Sequence, residues 1–126
     1  MHETLRESLD PVLRDLRSTG GPVPRVSDSD WIGHPSMASA MVHGHGFEST
    51  GISVLLLASK AEQVASIADQ VQEWAIEQLW GGASTNWPPC PLHPTTHPLM
   101  ASVVDNVATW VCPRDATAIA PIGELC

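Results

Sequence analysis

Residues 86–112 have the sequence NWPPCPLHPTTHPLMASVVDNVATWVC, which holds two of the three cysteines and five of the eleven prolines of the chain. Cys90 and His93 are separated by two residues, a spacing at which one turn can present two ligands to the same metal ion. His97 follows, and Cys112 ends the stretch. The pattern predicts a metal site formed by Cys90, His93, His97 and Cys112, and zinc is the ion that this donor set favours.

The second half of this stretch predicts a β-hairpin. Asp105-Asn106 stands between two apolar runs, and both residue types tolerate the positive φ that a two-residue hairpin turn requires. We therefore expect strands at 99–104 and 107–112. A C-x2-H knuckle, a hairpin and a second cysteine resemble the layout of a zinc ribbon, because the hairpin returns Cys112 to the end where Cys90 lies.

The identity of the fourth ligand is open from the sequence. Cys112-Pro113-Arg114-Asp115 repeats the C-P-x-ligand form of the first knuckle, so Asp115 is one candidate. His97 is favoured over it, because imidazole is a commoner ligand than carboxylate in closed structural zinc sites. The third candidate is Cys126. With His97, two thiolates and two neutral imidazoles leave a zinc site without net charge, which suits a partly buried position.

Catalytic zinc is disfavoured by the residues between the two histidines. His93 and His97 have the spacing of H-E-x-x-H, but Pro94-Thr95-Thr96 supplies no glutamate base, and the proline opposes the helix that this motif needs. We therefore expect zinc to be structural, in a protein-interaction or adaptor module. The alternative is a small zinc-dependent hydrolase-type enzyme with three protein ligands and an open metal position.

An N-terminal helix is predicted to run to about Ser18, because leucines and valine recur at helical spacing before it. Thr4 and Glu7 fit a capping box at its start. An alternative start has Asp10 as N-cap and Pro11 as the first helical residue.

A long amphipathic helix is predicted at 60–80. Ser59 and Glu62 form a second capping box, and Gly81-Gly82 ends the helix. Trp74 lies in the middle of its apolar face, whereas Gln72 belongs to the polar face.

Strands are predicted in the remaining segments. One short strand is expected at 25–32, and residues 37–58 are expected to contain strands interrupted by a turn at 48–51. The nearly continuous apolar run at 52–58 predicts a central strand buried on both faces. A last edge strand is expected at 118–122.

Two further histidines lie in the second of these segments. His43 and His45 are two residues apart, so on a strand they share one face and can form a metal pair. The favoured interpretation is the polar face of a sheet, and the role of both residues stays open.

These elements predict one α+β domain spanning 1–126. A small, mainly antiparallel sheet is packed by the long helix within 23–82. The N-terminal helix occupies 1–20, and the zinc-ribbon-like hairpin lies within 86–126.

The charge distribution constrains the class of partner. The net charge is −8, and residues 26–126 carry ten acidic side chains against only Lys60 and Arg114. Nucleic-acid binding is therefore disfavoured, because phosphate backbones are bound by basic surfaces. The expected partner is another protein, or a second copy of the chain.

A membrane location is not expected, because the longest apolar run, residues 52–58, is far too short to cross a bilayer. Residues 1–7 carry alternating charges and no apolar segment, unlike a signal peptide, which predicts a cytoplasmic protein. In that compartment cysteines favour metal binding over a Cys90–Cys112 disulfide.

We predict that the protein does not bind duplex DNA at physiological salt, because its acidic body repels phosphates. Fluorescence anisotropy of a labelled 20-base-pair duplex should stay unchanged as protein is added. A salt-dependent rise in anisotropy at low micromolar protein would contradict the charge argument.

Overall fold

The computed structural model describes residues 1–44, 46, 48–80 and 86–125. Within them the elements are, in chain order, α1 (Glu3–Ser18), β1 (Arg25–Asp28), β2 (Met37–His43), β3 (Ser49–Leu55), α2 (Lys60–Leu79), β4 (Met100–Val104), β5 (Val107–Val111) and β6 (Ala118–Pro121). The strands form two antiparallel sheets of three strands each, β1-β2-β3 and β4-β5-β6. The predicted α+β class is confirmed.

Helix α1 begins earlier than either predicted start. His2 is its N-cap, and the Nδ1 atom of His2 accepts a hydrogen bond of 3.1 Å from the Thr4 N–H. The capping role predicted for Thr4 is therefore wrong, and so is the alternative start, because Pro11 lies inside the helix. The helix tolerates this proline because it buries a complete apolar face, made of Leu5, Leu9, Val12 and Leu16.

Helix α2 connects the two sheets. Its predicted N-cap is confirmed, since the Ser59 side chain accepts a hydrogen bond of 3.2 Å from the Glu62 N–H. The helix packs against α1, β3, β4 and β5. The predicted stop at Gly81-Gly82 lies outside the described residues. Of the helices in the described part of the chain, none combines the length and apolar composition needed to cross a bilayer.

Strand β3 is an edge strand, which corrects the prediction of a central strand at 52–58. The centre of the first sheet is β2, and in β3 only Ile52 and Val54 are buried, in alternation. The predicted turn at 48–51 is also wrong, because β3 begins at Ser49, which pairs with His43. The apolar run does not correspond to one strand, because its residues after Leu55 belong to the connection between β3 and α2.

Two glutamines of α2 cover the free edge of β3. The Gln70 side chain accepts a hydrogen bond of 2.9 Å from the Ser53 N–H and donates one of 2.8 Å to the Ser53 carbonyl. Gln63 donates to the Leu55 carbonyl at 3.0 Å. An unpaired edge can recruit other strands, and here the helix supplies the missing backbone partners with side-chain amides.

The second sheet contains the predicted hairpin. Asp105 and Asn106 have φ values of 49° and 64°, and the register pairs Val104 with Val107, so the turn has the predicted two residues. Strand β6 pairs with the other side of β5 and forms the predicted edge strand, with Pro121 at its end. This sheet carries Cys112 directly after β5.

We predict that Trp74→Ala lowers the free energy of unfolding by about 3–5 kcal/mol, because it leaves a large cavity in the core. The Trp74 side chain is only 2% exposed and belongs to the core that both sheets share with the helices. Urea unfolding followed by circular dichroism measures the change. The exposed neighbour provides the control, since Glu73→Ala should change stability by less than about 0.5 kcal/mol. Equal midpoints for the two variants would contradict the packing.

Candidate metal centre

The four residues predicted as metal ligands lie together. Their ligand atoms, one each from Cys90, His93, His97 and Cys112, all fall within 4.8 Å of one another. Both cysteines are fully buried, whereas both imidazoles are half-buried. The cluster therefore has a sulfur side in the protein interior and a nitrogen side toward solvent.

Four of the six separations within the cluster are close to those of a tetrahedral metal site. The His93 Nδ1 and His97 Nε2 atoms are 3.1 Å apart, and the Cys112 sulfur is 3.6 Å from the first and 3.9 Å from the second. The Cys90 sulfur is 3.8 Å from His93 Nδ1. Tetrahedral zinc with ordinary bond lengths places two nitrogens about 3.3 Å apart, and a nitrogen and a sulfur about 3.5 Å apart.

The first knuckle is formed by two consecutive turns. The His93 N–H donates to the Cys90 carbonyl at 3.1 Å, and the Thr96 N–H donates to the His93 carbonyl at 3.1 Å. Pro91 and Pro94 fix φ at positions where such turns need it. The turns bring His93 and then His97 to the same side as the Cys90 sulfur.

The second knuckle closes a short loop after β5. The Cys112 N–H donates to the Thr117 carbonyl at 2.8 Å, and the Ala116 N–H donates to the Cys112 carbonyl at 2.8 Å. Ala116 has a φ of 61°, in the left-handed region that lets the chain reverse there. The loop fixes the backbone of Cys112 on both sides.

Burial raises the pKa of the Cys112 thiol, and the backbone N–H groups of Asp115 and Arg114 oppose the rise. A buried thiolate needs a positive charge beside it, because desolvation disfavours the charged form. A metal ion supplies that charge, so metal binding at this cluster is coupled to release of thiol protons.

One hydrogen bond selects the metal-facing nitrogen of His97. Its Nδ1 atom lies 3.0 Å from the Pro98 carbonyl oxygen, to which it donates as N–H. The proton on Nδ1 leaves the lone pair of Nε2 directed at the cluster. A second partner of this kind orients the ring of a metal-binding histidine.

Asp115, the alternative fourth ligand, lies outside the cluster of four ligand atoms. Its carboxylate accepts a hydrogen bond of 3.1 Å from the Thr117 N–H, and hydrogen bonds from Thr117 hold the pKa of Asp115 below its usual value. Cys126, the other alternative, lies outside the described residues.

His43 lies on the polar outer face of the first sheet. Its Nε2 atom is 2.6 Å from the Ser27 hydroxyl, and its Nδ1 atom is 2.8 Å from the Ser49 hydroxyl. Both ring nitrogens are therefore engaged by serines of the neighbouring strands. His45, with which it was considered as a metal pair, lies outside the described residues.

Gln72 supports the centre and was missed by the sequence analysis. It is buried, although helical periodicity places it on the polar face of α2. Its side-chain amide donates to the Trp87 carbonyl at 3.1 Å and to the Leu99 carbonyl. These two carbonyls flank the first knuckle. A buried backbone carbonyl needs a hydrogen-bond donor, but the hydropathy of α2 does not show that Gln72 supplies one to residues this far away in the sequence.

Comparison with protein-family models, curated proteins and solved structures finds no match to this chain. The function is therefore argued from the donor atoms of the cluster and from their surroundings.

We predict that His97→Ala weakens metal binding at least tenfold, whereas Asp115→Asn leaves it within twofold of the wild type, because only His97 belongs to the cluster. Cobalt titration monitored by the visible absorption of tetrahedral Co²⁺ measures both affinities. The opposite order of the two variants would assign the fourth position to Asp115.

Proposed function

We propose that the chain binds one zinc ion through Cys90, His93, His97 and Cys112, and that the ion is structural in an acidic protein-interaction or adaptor module. The observation that carries the proposal is the convergence of all four donor atoms within 4.8 Å. Such a set occupies every position of a tetrahedral ion.

The donor types support zinc over other ions. Thiolate sulfur excludes the hard ions magnesium and calcium, which prefer oxygen ligands. A mixed set of two sulfurs and two imidazole nitrogens is typical of structural zinc. The resulting centre has no net charge, which lowers the cost of its burial beside the core.

A structural role follows from the closed ligand set. Catalytic zinc keeps one position for water or substrate, whereas here the protein supplies four donors. The ion would join the knuckle at Cys90 to the end of β5 at Cys112, two segments that lie on opposite sides of the β4–β5 hairpin in the chain. The runner-up, a small zinc-dependent hydrolase, requires one donor to leave the ion, and the half-buried histidines are the side from which water would enter.

The interaction role rests on the charge of the surface. Four exposed acidic side chains lie along α2, namely Glu62, Asp69, Glu73 and Glu77. Together with the net charge of −8, they favour a basic surface on another protein, and self-association is the alternative that charge does not favour. Cys90 and Cys112 form no disulfide, which agrees with a reducing compartment such as the cytoplasm.

We predict that purified protein carries about one zinc per chain and that chelation melts the zinc-held segment without unfolding α2. Zinc binding is coupled to local folding because an unfolded segment has no preformed cage. Elemental analysis gives the stoichiometry. A lower melting temperature and altered tryptophan fluorescence, with retained helical circular dichroism, report the local loss.

Two cysteine variants sharpen this test. Cys112→Ser removes a donor and should reproduce the effect of the chelator, whereas Cys126→Ser should keep full zinc occupancy if the four proposed ligands are sufficient. Chelated protein that keeps its native fluorescence and melting temperature, while losing a hydrolytic activity that zinc restores, would favour the enzyme instead. Sedimentation velocity at two protein concentrations distinguishes self-association from dependence on another protein.

A further inference from the structure

We infer that the C-terminal end of α1 positions the metal centre, with Asp15 in the last turn and the C-cap residue Thr19 holding the two tryptophans that precede the two cysteine ligands. The inference rests on the proposed zinc binding and adds two residues that lie far from the ligands in sequence. Neither residue belongs to the cluster of donor atoms, so each acts through another side chain.

Asp15 is a fully buried carboxylate near the C-terminal end of α1. Its Oδ2 atom accepts hydrogen bonds from the Trp110 indole N–H at 2.8 Å and from the Gly123 N–H at 2.7 Å. Its Oδ1 atom accepts one from the Leu125 N–H at 3.0 Å. Three donors therefore converge on one carboxylate from segments about 100 residues away in sequence.

The position of Asp15 is unfavourable for its helix. A buried carboxylate loses its hydration, and the C-terminal end of a helix carries partial negative charge. Among the described residues no salt bridge compensates it. The convergent N–H donors are what stabilise the carboxylate, and one of them belongs to the indole closest to Cys112.

Thr19 holds the second tryptophan. Its hydroxyl donates to the Asp15 backbone carbonyl at 2.7 Å, which orients the oxygen lone pairs. The same oxygen accepts a hydrogen bond of 3.0 Å from the Trp87 indole N–H. The C-terminal end of α1 and its cap therefore bind both indoles, one through the Asp15 carboxylate and one through the Thr19 hydroxyl.

The two indoles also pack against each other. Trp87 and Trp110 form an edge-to-face pair with ring centroids 5.6 Å apart and an interplanar angle of 84°. Trp87 precedes Cys90 by three residues, and Trp110 precedes Cys112 by two. The indole pair is thus a rigid link between the two chain segments that carry the sulfur donors.

The consequence is a preorganised pair of sulfurs. A metal ion that must draw two mobile segments together loses affinity to the entropy of ordering them. With both indoles bound to α1 and to each other, the separation of Cys90 and Cys112 is set before the ion binds. Loosening either contact should lower the affinity for zinc even though every ligand remains.

The test compares zinc affinities of Asp15→Ala and Thr19→Val with that of the wild type, by competition with a chromophoric chelator. We expect a loss of about tenfold for Asp15→Ala, the lower end of the range found when direct hydrogen-bond partners of metal ligands are removed, because Asp15 acts one step further out through Trp110. Thr19→Val should show a smaller loss in the same direction, and Thr19→Ser should restore affinity because it keeps the hydroxyl. The visible spectrum of the cobalt-loaded variants reports whether the ligand geometry is distorted.

A matched control separates positioning from general stability. Leu5→Ala truncates a fully buried side chain of the same helix, ten residues before Asp15 and about 15 Å away along its axis. It should destabilise the fold while leaving the zinc affinity and the cobalt spectrum of the folded protein unchanged. All measurements are made well below the melting temperature of each variant.

Each result has a definite meaning. If Leu5→Ala loses as much zinc affinity as Asp15→Ala, the effect is one of stability and the positioning role is wrong. Wild-type affinity in both Asp15→Ala and Thr19→Val would also overturn it. Should Asp15→Ala fail to fold, the Thr19→Val and Thr19→Ser pair decides alone. A wild-type protein that binds no zinc would overturn the proposed function, and the positioning role with it.

Discussion

The structure depends on placing two buried thiols and two half-buried imidazoles within 4.8 Å of one another. Burial raises the pKa of the Cys112 thiol, so a cation bound beside it would favour the thiolate form. The metal-ligand atoms are brought together by three features: the β4–β5 hairpin, the proline-containing knuckle at Cys90 and the loop after β5. Cys90 and Cys112 thereby come together although the β4–β5 hairpin lies between them in the chain, and the edge-to-face contact of Trp87 with Trp110 links the same two segments.

Helix α2 packs against both sheets and supplies hydrogen-bond partners to backbone groups beside each of them. Gln63 and Gln70 satisfy the edge of β3, whereas Gln72 satisfies carbonyls on both sides of the first knuckle. Side-chain amides suit this role because one group can donate and accept at once. The helix thus carries polar residues on faces that would be purely apolar if it packed only against side chains.

Local chemistry explains which features were predictable from the sequence. The hairpin turn at Asp105-Asn106 and the cap at Ser59 depend on residues next to each other, and both predictions are confirmed. The spacing of Cys90 and His93 likewise identified the residues that the fold brings together. The edge position of β3 and the burial of Asp15 depend on partners far away in sequence. An apolar run reports that a segment is buried, not how many strands flank it, and a single aspartate carries no sign of three distant donors.

The positions of the Cys/His cluster and of the acidic face of α2 bear on the proposed interaction role. The indole pair contacts the C-terminal end of α1 and precedes both cysteines of the cluster, so a bound ion and the helix would stabilise the same segments. The acidic face of α2 lies on the solvent side of a helix whose opposite face binds both sheets. A partner on that acidic face would therefore contact an element whose inner side holds the first knuckle through Gln72. Coupling between two sites requires an element with two arrangements that both sites influence. Zinc loss and partner binding would therefore be coupled only if the contact of Gln72 with the Trp87 and Leu99 carbonyls differed between the zinc-bound and zinc-free states.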